Sequence, residues 1–141
     1  MSLEDLYRET ILDHNQSPRN RHELQNPTKT VGLLNPTCGD QIKLDLQLDH
    51  GKVTDVGFSG HGCSISMASA SMMTEAIKGK SVDEALQLVR RFKAFLTGTP
   101  SAEPLGDLEA LQGVSQFPSR VKCATLAHNA LEKALTDGAS D

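Results

Sequence analysis

Residues 42–48 alternate apolar and polar side chains without interruption, and this alternation is the strongest constraint on the fold. A period of two residues predicts a strand with one buried face and one solvent-facing side. The turn at residues 49–52 leads into a second segment, 53–59, so the two are expected to form an antiparallel hairpin. Residues 31–34 predict a third strand. We therefore expect a small antiparallel sheet in the first half of the chain.

Helical patterns account for most of the remaining sequence. Apolar residues recur at helical spacing in four segments, namely residues 3–13, 64–79, 82–98 and the segment that begins at Pro118. Residues 15–20 predict a loop, and the glycine- and proline-rich residues 97–113 predict a surface excursion with at most one short helix, near residues 107–111. The pattern indicates a single α+β domain over residues 1–141, with a three-stranded antiparallel sheet packed against about four to five helices.

Composition and charge exclude several classes of function. Fourteen Lys and Arg residues against eighteen Asp and Glu residues give a net charge of −4. Nucleic-acid binding needs a clustered excess of basic side chains, so we expect no nucleic-acid partner. Residues 56–74 carry no charged side chain, but five serines, three glycines and a histidine interrupt them, so no membrane segment is predicted. Three cysteines are too few for a disulfide framework and indicate a cytoplasmic protein.

The three cysteines fall near the ends of predicted elements, where a rigid scaffold commonly holds functional groups. Cys38 precedes the strand at residues 42–48, Cys63 follows a glycine-rich turn, and Cys123 is expected in the first turn of the last helix. Helix N-termini would favour the thiolate forms of Cys63 and Cys123. Asp40 is the natural fourth ligand. Three thiolates with one carboxylate suit tetrahedral zinc, and thiolate-rich sites also suit iron–sulfur chemistry.

Other interpretations of these residues remain open at this point. A free cysteine is often a small buried hydrophobe, and Asp40 could simply hydrogen-bond its own turn. The cysteine spacing matches no zinc-finger pattern. The sequence contains no Cys-x-x-Cys pair, so a thiol redox enzyme is not expected. Among the histidines, only His61 is a candidate ligand. Arg120 and Lys122 would offset the negative charge of such a site.

Three blocks of sequence resemble the U-type iron–sulfur cluster assembly family. They are Asn35-Pro36-Thr37-Cys38-Gly39-Asp40, residues 62–74 around Cys63, and residues 117–126 around Cys123, in the family's order. The similarity extends over nearly the whole chain and implies the family's three-stranded antiparallel sheet packed with helices. The family's IscU scaffold branch has a His immediately before the last cysteine and lacks the excursion at residues 98–113. Because Lys122 takes the place of that His, the chain resembles the SufU branch instead.

The SufU resemblance implies a zinc ion bound by Cys38, Asp40, Cys63 and Cys123. It also implies a zinc-dependent sulfur-transfer protein that accepts persulfide sulfur from a pyridoxal-phosphate-dependent cysteine desulfurase. Downstream iron–sulfur assembly or acceptor proteins would then take the sulfur. We expect Cys38 to be the catalytic acceptor, because its turn should be the most exposed of the three, with Cys123 as the second candidate. This activity would make the chain a sulfurtransferase.

Two alternative functions stay open at the level of sequence. The first is a scaffold on which a nascent iron–sulfur cluster is assembled and passed to acceptor proteins. The second is a zinc-stapled interaction domain without a catalytic cysteine.

Overall fold

The computed structural model describes residues 3–36, 39–99 and 103–136. In chain order its elements are α1 (Leu3–Gln16), β1 (Lys29–Asn35), β2 (Asp40–Asp49), β3 (Lys52–His61), α2 (Ser64–Ile77), α3 (Val82–Leu96), a 3₁₀ segment (Gly106–Gln116) and α4 (Pro118–Thr136). The expected α+β architecture is confirmed, with three strands in one sheet and five helices in the described residues. None of these helices combines the length and apolar character that crossing a membrane requires.

The sheet has the strand order β1-β2-β3, and both strand pairs are antiparallel. Ile42, Leu44 and Leu46 alternate along β2 and are all fully buried, as the period of two predicted. All three strands are longer than predicted. The additional pairings bring Asn35 opposite Asp40, so the end of β1 lies beside the beginning of β2.

Helix α2 forms the centre of the helical layer. Ten of its fourteen residues are buried, and they include Ser66, Ser69, Ser71 and Thr74 as well as apolar side chains. Small side chains let α1 and α4 pack closely against it, and α4 also packs against the sheet. Helix α3 begins with the predicted capping box, in which Ser81 and Glu84 bond each other's main-chain N–H groups.

Two element boundaries differ from the predictions. Helix α1 continues to Gln16, because the side-chain amide of Asn15 donates to the carbonyl of Ile11 and gives this polar residue a partner within the helix. The excursion contains a 3₁₀ segment over Gly106–Gln116 instead of a short helix near residues 107–111. Its buried Leu108, Leu111 and Val114 recur every three residues, which is the period of a 3₁₀ helix.

Candidate metal centre

Asp40, Cys63 and Cys123 converge at one end of the sheet. One potential ligand atom of each residue lies within 4.8 Å of the other two. Asp40 begins β2, Cys63 lies between β3 and α2, and Cys123 lies on α4. The remaining predicted ligand, Cys38, lies outside the described residues.

The carboxylate of Asp40 is fully buried and held by the main chain. Its Oδ1 accepts the main-chain N–H of Cys63 at 2.7 Å, and its Oδ2 lies 3.8 Å from the sulfur of Cys63. Gly62 is needed here, because a Cβ atom at this position would lie 2.4 Å from Oδ1 of Asp40. The packing against Gly62 therefore fixes the orientation of the carboxylate.

Cys63 is the N-cap residue of α2. Its sulfur accepts the main-chain N–H of Ser66 at 3.5 Å, and the side chain is partly exposed. A donor from the first turn of a helix favours a negatively charged sulfur. This geometry agrees with the predicted effect of a helix N-terminus on Cys63.

Cys123 occupies a different environment from the predicted one. Helix α4 begins at Pro118, so Cys123 lies in the second turn, beyond the unpaired N–H groups of the helix N-terminus. Its side chain is only 3% exposed. The sulfur lies 3.5 Å from the carbonyl oxygen of Ser119 and 4.0 Å from Nδ2 of Asn35. The side chain of Asn35, rather than a helix N-terminus, therefore provides an N–H group to this sulfur.

The other residues considered from sequence lie outside the cluster. His61 is exposed at the end of β3 and does not belong to the group formed by the described residues. Arg120 and Lys122 are exposed in the first turns of α4. The sequence alone indicates no role for Asn35. The signal available was its place in the first motif, but only the strand register shows that it lies opposite Asp40.

A second group of potential ligands consists of His14, Glu75 and Asp107. His14 is fully buried, with Nδ1 2.7 Å from Oγ of Ser71 and Nε2 2.8 Å from Oδ2 of Asp107. The guanidinium of Arg19 lies 3.6 Å from the carboxylate of Glu75 and supplies the positive charge there. This group is therefore an ion-pair and hydrogen-bond network that joins α1, α2 and the 3₁₀ segment.

The first cluster has a different chemical character. Two thiol sulfurs and one carboxylate oxygen form a donor set that suits a thiolate-rich tetrahedral site with one further ligand. Burial of Asp40 and Cys123 limits competition from water. These residues could therefore hold a metal ion or provide nucleophilic sulfur.

Comparison with known proteins supports the resemblance drawn from the three motifs. A zinc-dependent sulfurtransferase SufU from Bacillus subtilis (strain 168) is 53% identical over 134 residues, covering 94% of this chain and 90% of that protein. An iron–sulfur cluster assembly scaffold protein IscU from Streptococcus pyogenes serotype M1 is 44% identical over 140 residues, covering 98% of this chain and 87% of that protein.

Solved structures agree with these sequence relationships. A crystal structure from Fervidobacterium islandicum AW-1, described as an iron–sulfur cluster assembly scaffold protein for the SUF system, superposes with a TM-score of 0.88 at 34% identity. The match covers 96% of this chain and 100% of that chain. The family model of the NifU-like N terminal domain matches residues 6–138. The resemblance to the U-type assembly proteins is thus confirmed, and the chain belongs to the NifU-like N-terminal domain family.

Proposed function

We propose that this protein is a zinc-dependent sulfur-transfer protein for iron–sulfur cluster assembly. It accepts persulfide sulfur from a pyridoxal-phosphate-dependent cysteine desulfurase. The observation that carries the proposal is the convergence of Asp40, Cys63 and Cys123 within 4.8 Å. The 53% identity to a zinc-dependent sulfurtransferase supports the same function.

The donor set fits zinc. Asp40, Cys63 and Cys123 would hold the ion, with Cys38 as the fourth ligand. Bound zinc would keep the coordinating thiols in their thiolate form near neutral pH. The chain contributes donors that orient the ligands, since Ser66 provides an N–H to Cys63, and Cys63 provides an N–H to Asp40. Hydrogen bonds of this kind around a metal site strongly influence its affinity.

Cys38 is the proposed acceptor of sulfur. Its thiolate would first leave the ligand set and then attack the terminal sulfur of the desulfurase persulfide. A new S–S bond forms on Cys38, the S–S bond of the desulfurase persulfide breaks, and the desulfurase cysteine leaves as a thiolate. The reaction moves one sulfur atom without net oxidation or reduction. The environments of the other two cysteines support this choice, because Cys123 is buried and the sulfur of Cys63 is restrained by its N-cap hydrogen bond with Ser66.

The proposed partners follow from this reaction. A cysteine desulfurase supplies the persulfide, and downstream iron–sulfur assembly proteins take the sulfur from Cys38. The cysteines must remain reduced to react, so we place the activity in the cytoplasm.

Metal content and desulfurase turnover together test the proposal. We expect protein purified without added metal to contain about one zinc per chain. It should also accelerate sulfide release by a cysteine desulfurase. The Cys38→Ala variant should lose this acceleration while it retains a cooperative unfolding transition. Unchanged acceleration by Cys38→Ala would show that the acceptor is another residue, and zinc without acceleration would contradict sulfur transfer.

A cluster scaffold is the second candidate function. It is favoured by the 44% identity, over 98% of this chain, to a protein named as an assembly scaffold. Anaerobic reconstitution with iron and sulfide tests it directly. A stoichiometric cluster that passes to an apo-acceptor, in protein that does not accelerate the desulfurase, would favour the scaffold over sulfur transfer.

A further inference from the structure

Asn35 contacts the proposed ligand set through a buried side chain. It ends β1, is only 6% exposed, and places Nδ2 4.0 Å from the sulfur of Cys123. We infer that Asn35 is a positioning residue whose side-chain N–H holds the Cys123 thiolate in the ligand set and so excludes it from the sulfur-transfer step. This inference rests on the proposed function.

The surroundings of Cys123 explain why such a donor is needed. The sulfur lies 3.5 Å from the carbonyl oxygen of Ser119, to which a neutral thiol can donate its proton. A thiolate has no proton to donate, so this contact becomes unfavourable when the sulfur carries a negative charge. Cys63 receives the N–H of Ser66, whereas the position of Cys123 in the second turn of α4 removes it from the helix N-terminus. Asn35 provides an N–H to the buried sulfur instead.

The main chain of Asn35 connects the same residue to the beginning of β2. Its carbonyl accepts the N–H of Gly39 at 2.8 Å, and its Cα pairs with that of Asp40 in the strand register. The hydrogen bond to Gly39 links the end of β1 to the residue that precedes Asp40. Asn35 therefore contacts the beginning of β2 through its main chain and Cys123 through its side chain.

The chemical consequence is a division of roles between two thiolates. An N–H donor draws negative charge from a sulfur and restricts its side-chain rotation, and both effects weaken the sulfur as a nucleophile. Cys123 is thereby kept as a ligand, and the transferred sulfur is directed to Cys38. Loss of the donor should loosen the ligand and expose Cys123 to the persulfide.

The test compares Asn35→Leu, which keeps the shape of the side chain but lacks the N–H, with Asn35→Ala. Asn129→Leu is the matched control, because Asn129 is exposed on α4 and lines the same groove of about 280 Å³ as Asn35. Thermal unfolding of the zinc-free chains identifies the variants that fold. Should Asn35→Leu fail to fold, Asn35→Ala carries the comparison.

Two measurements are made on the folded, zinc-loaded proteins. The first is the rate of zinc transfer to a chromophoric chelator, which we expect to rise about 10- to 100-fold in the Asn35 variants. The second is mass spectrometry of the cysteine peptides after reaction with a desulfurase and free cysteine. The persulfide should be confined to Cys38 in the wild type and the Asn129 control, and should also occur on Cys123 in the Asn35 variants.

The outcomes separate this inference from the proposed function. Zinc-transfer rates and persulfide distributions that match the wild type in both Asn35 variants would overturn the positioning role. Faster zinc transfer from the Asn35 variants, with no persulfide on any wild-type cysteine, would contradict the proposed sulfur transfer but retain Asn35 as the residue that holds Cys123. Unchanged zinc transfer with normal persulfide on wild-type Cys38 would retain the proposed function and reject the inference.

Discussion

The main-chain N–H of Cys63 donates to Oδ1 of Asp40 at 2.7 Å, so two candidate ligands are bonded directly to each other. Asp40 begins β2, whereas Cys63 follows β3, and the hydrogen bond joins the ends of two neighbouring strands. It uses one carboxylate oxygen and directs the other towards the sulfur of Cys63 at 3.8 Å. The strand pairing thus orients these two candidate ligands relative to each other.

Gly62→Ala should disrupt this arrangement. The added Cβ would lie 2.4 Å from Oδ1 and 2.9 Å from Cγ of Asp40, and the buried carboxylate would have to move. We expect zinc affinity to fall about 10-fold or more, as measured by competition with a chelator. Gly113→Ala is the control, because its Cβ would meet no atom within 4 Å. Equal zinc affinity in both variants would show that the contact with Gly62 does not orient Asp40.

Two substitutions of Asp40 should separate its structural role from its role as a ligand. Asp40→Asn keeps an oxygen that can accept the N–H of Cys63, but it removes the negative charge. Asp40→Ala removes both and leaves that N–H unpaired, at a cost of about 1–3 kcal/mol. We expect weak zinc binding in both variants, and a lower free energy of unfolding of the zinc-free chain only in Asp40→Ala. Urea unfolding would contradict this view if both zinc-free variants were equally stable.

The fold could be predicted from sequence because its patterns are local. The alternation in β2 and the helical spacing of apolar residues specify which face of each element is buried. The capping box of Ser81 and Glu84 likewise lies within four consecutive residues. The 3₁₀ segment was predicted less well, since its period of three emerges only from the packing of Leu108, Leu111 and Val114.

The site was predictable to a lesser extent. The motifs identified Asp40, Cys63 and Cys123 as candidates, and the structure brings these residues together. Their convergence depends on strand register and helix packing, which one sequence does not specify. Asn35 stands in the first motif, but its contact with Cys123 depends on the same packing. The start of the last helix at Pro118 was predicted correctly, but Cys123 is the sixth residue of that helix and lies beyond its first turn, so its environment was predicted incorrectly.

Removal of the carboxylate of Asp107 should destabilise the chain although this side chain is half exposed. The main-chain N–H of Arg19 donates to Oγ of Ser71, so the hydroxyl proton of Ser71 is available to Nδ1 of His14. The ring proton of His14 is then on Nε2, which donates to the carboxylate of Asp107. Asp107→Ala leaves the Nε2–H of the fully buried His14 ring without its acceptor, which should lower the free energy of unfolding by about 1–3 kcal/mol. Urea unfolding measures the change.

The control for Asp107 is Glu9→Ala, since Glu9 is an exposed acidic residue on α1. The free energy of unfolding of the Glu9→Ala variant should differ from that of the wild type by no more than about 0.5 kcal/mol. An equally small effect of Asp107→Ala would show that water replaces the carboxylate at His14 without loss.

His128 should make the stability of the chain dependent on pH. Its fully buried ring stacks on Phe92 with centroids 4.2 Å apart, and Nε2 lies 3.1 Å from Oγ of Ser69. The Ser69 hydroxyl donates to the carbonyl of Ala124, so Nε2 carries the proton, while Nδ1 is buried without a partner among the described residues. Burial, with a smaller contribution from the Lys93 ammonium, lowers the pKa of His128 from 6.5 to about 3.

The sign of the effect follows from this lowered pKa. Below pH 6.5 the unfolded chain binds a proton at His128 that the folded chain does not bind, so acid favours unfolding. The contribution of the neutral His128 ring to the free energy of unfolding is complete above pH 6.5 and is lost as the pH falls towards 3. Between pH 7.5 and 5.0 the free energy of unfolding should fall about 2 kcal/mol more in the wild type than in His128→Gln. Urea unfolding at both pH values measures the difference, and an equal pH dependence in the wild type and in His128→Gln would show that His128 does not resist protonation.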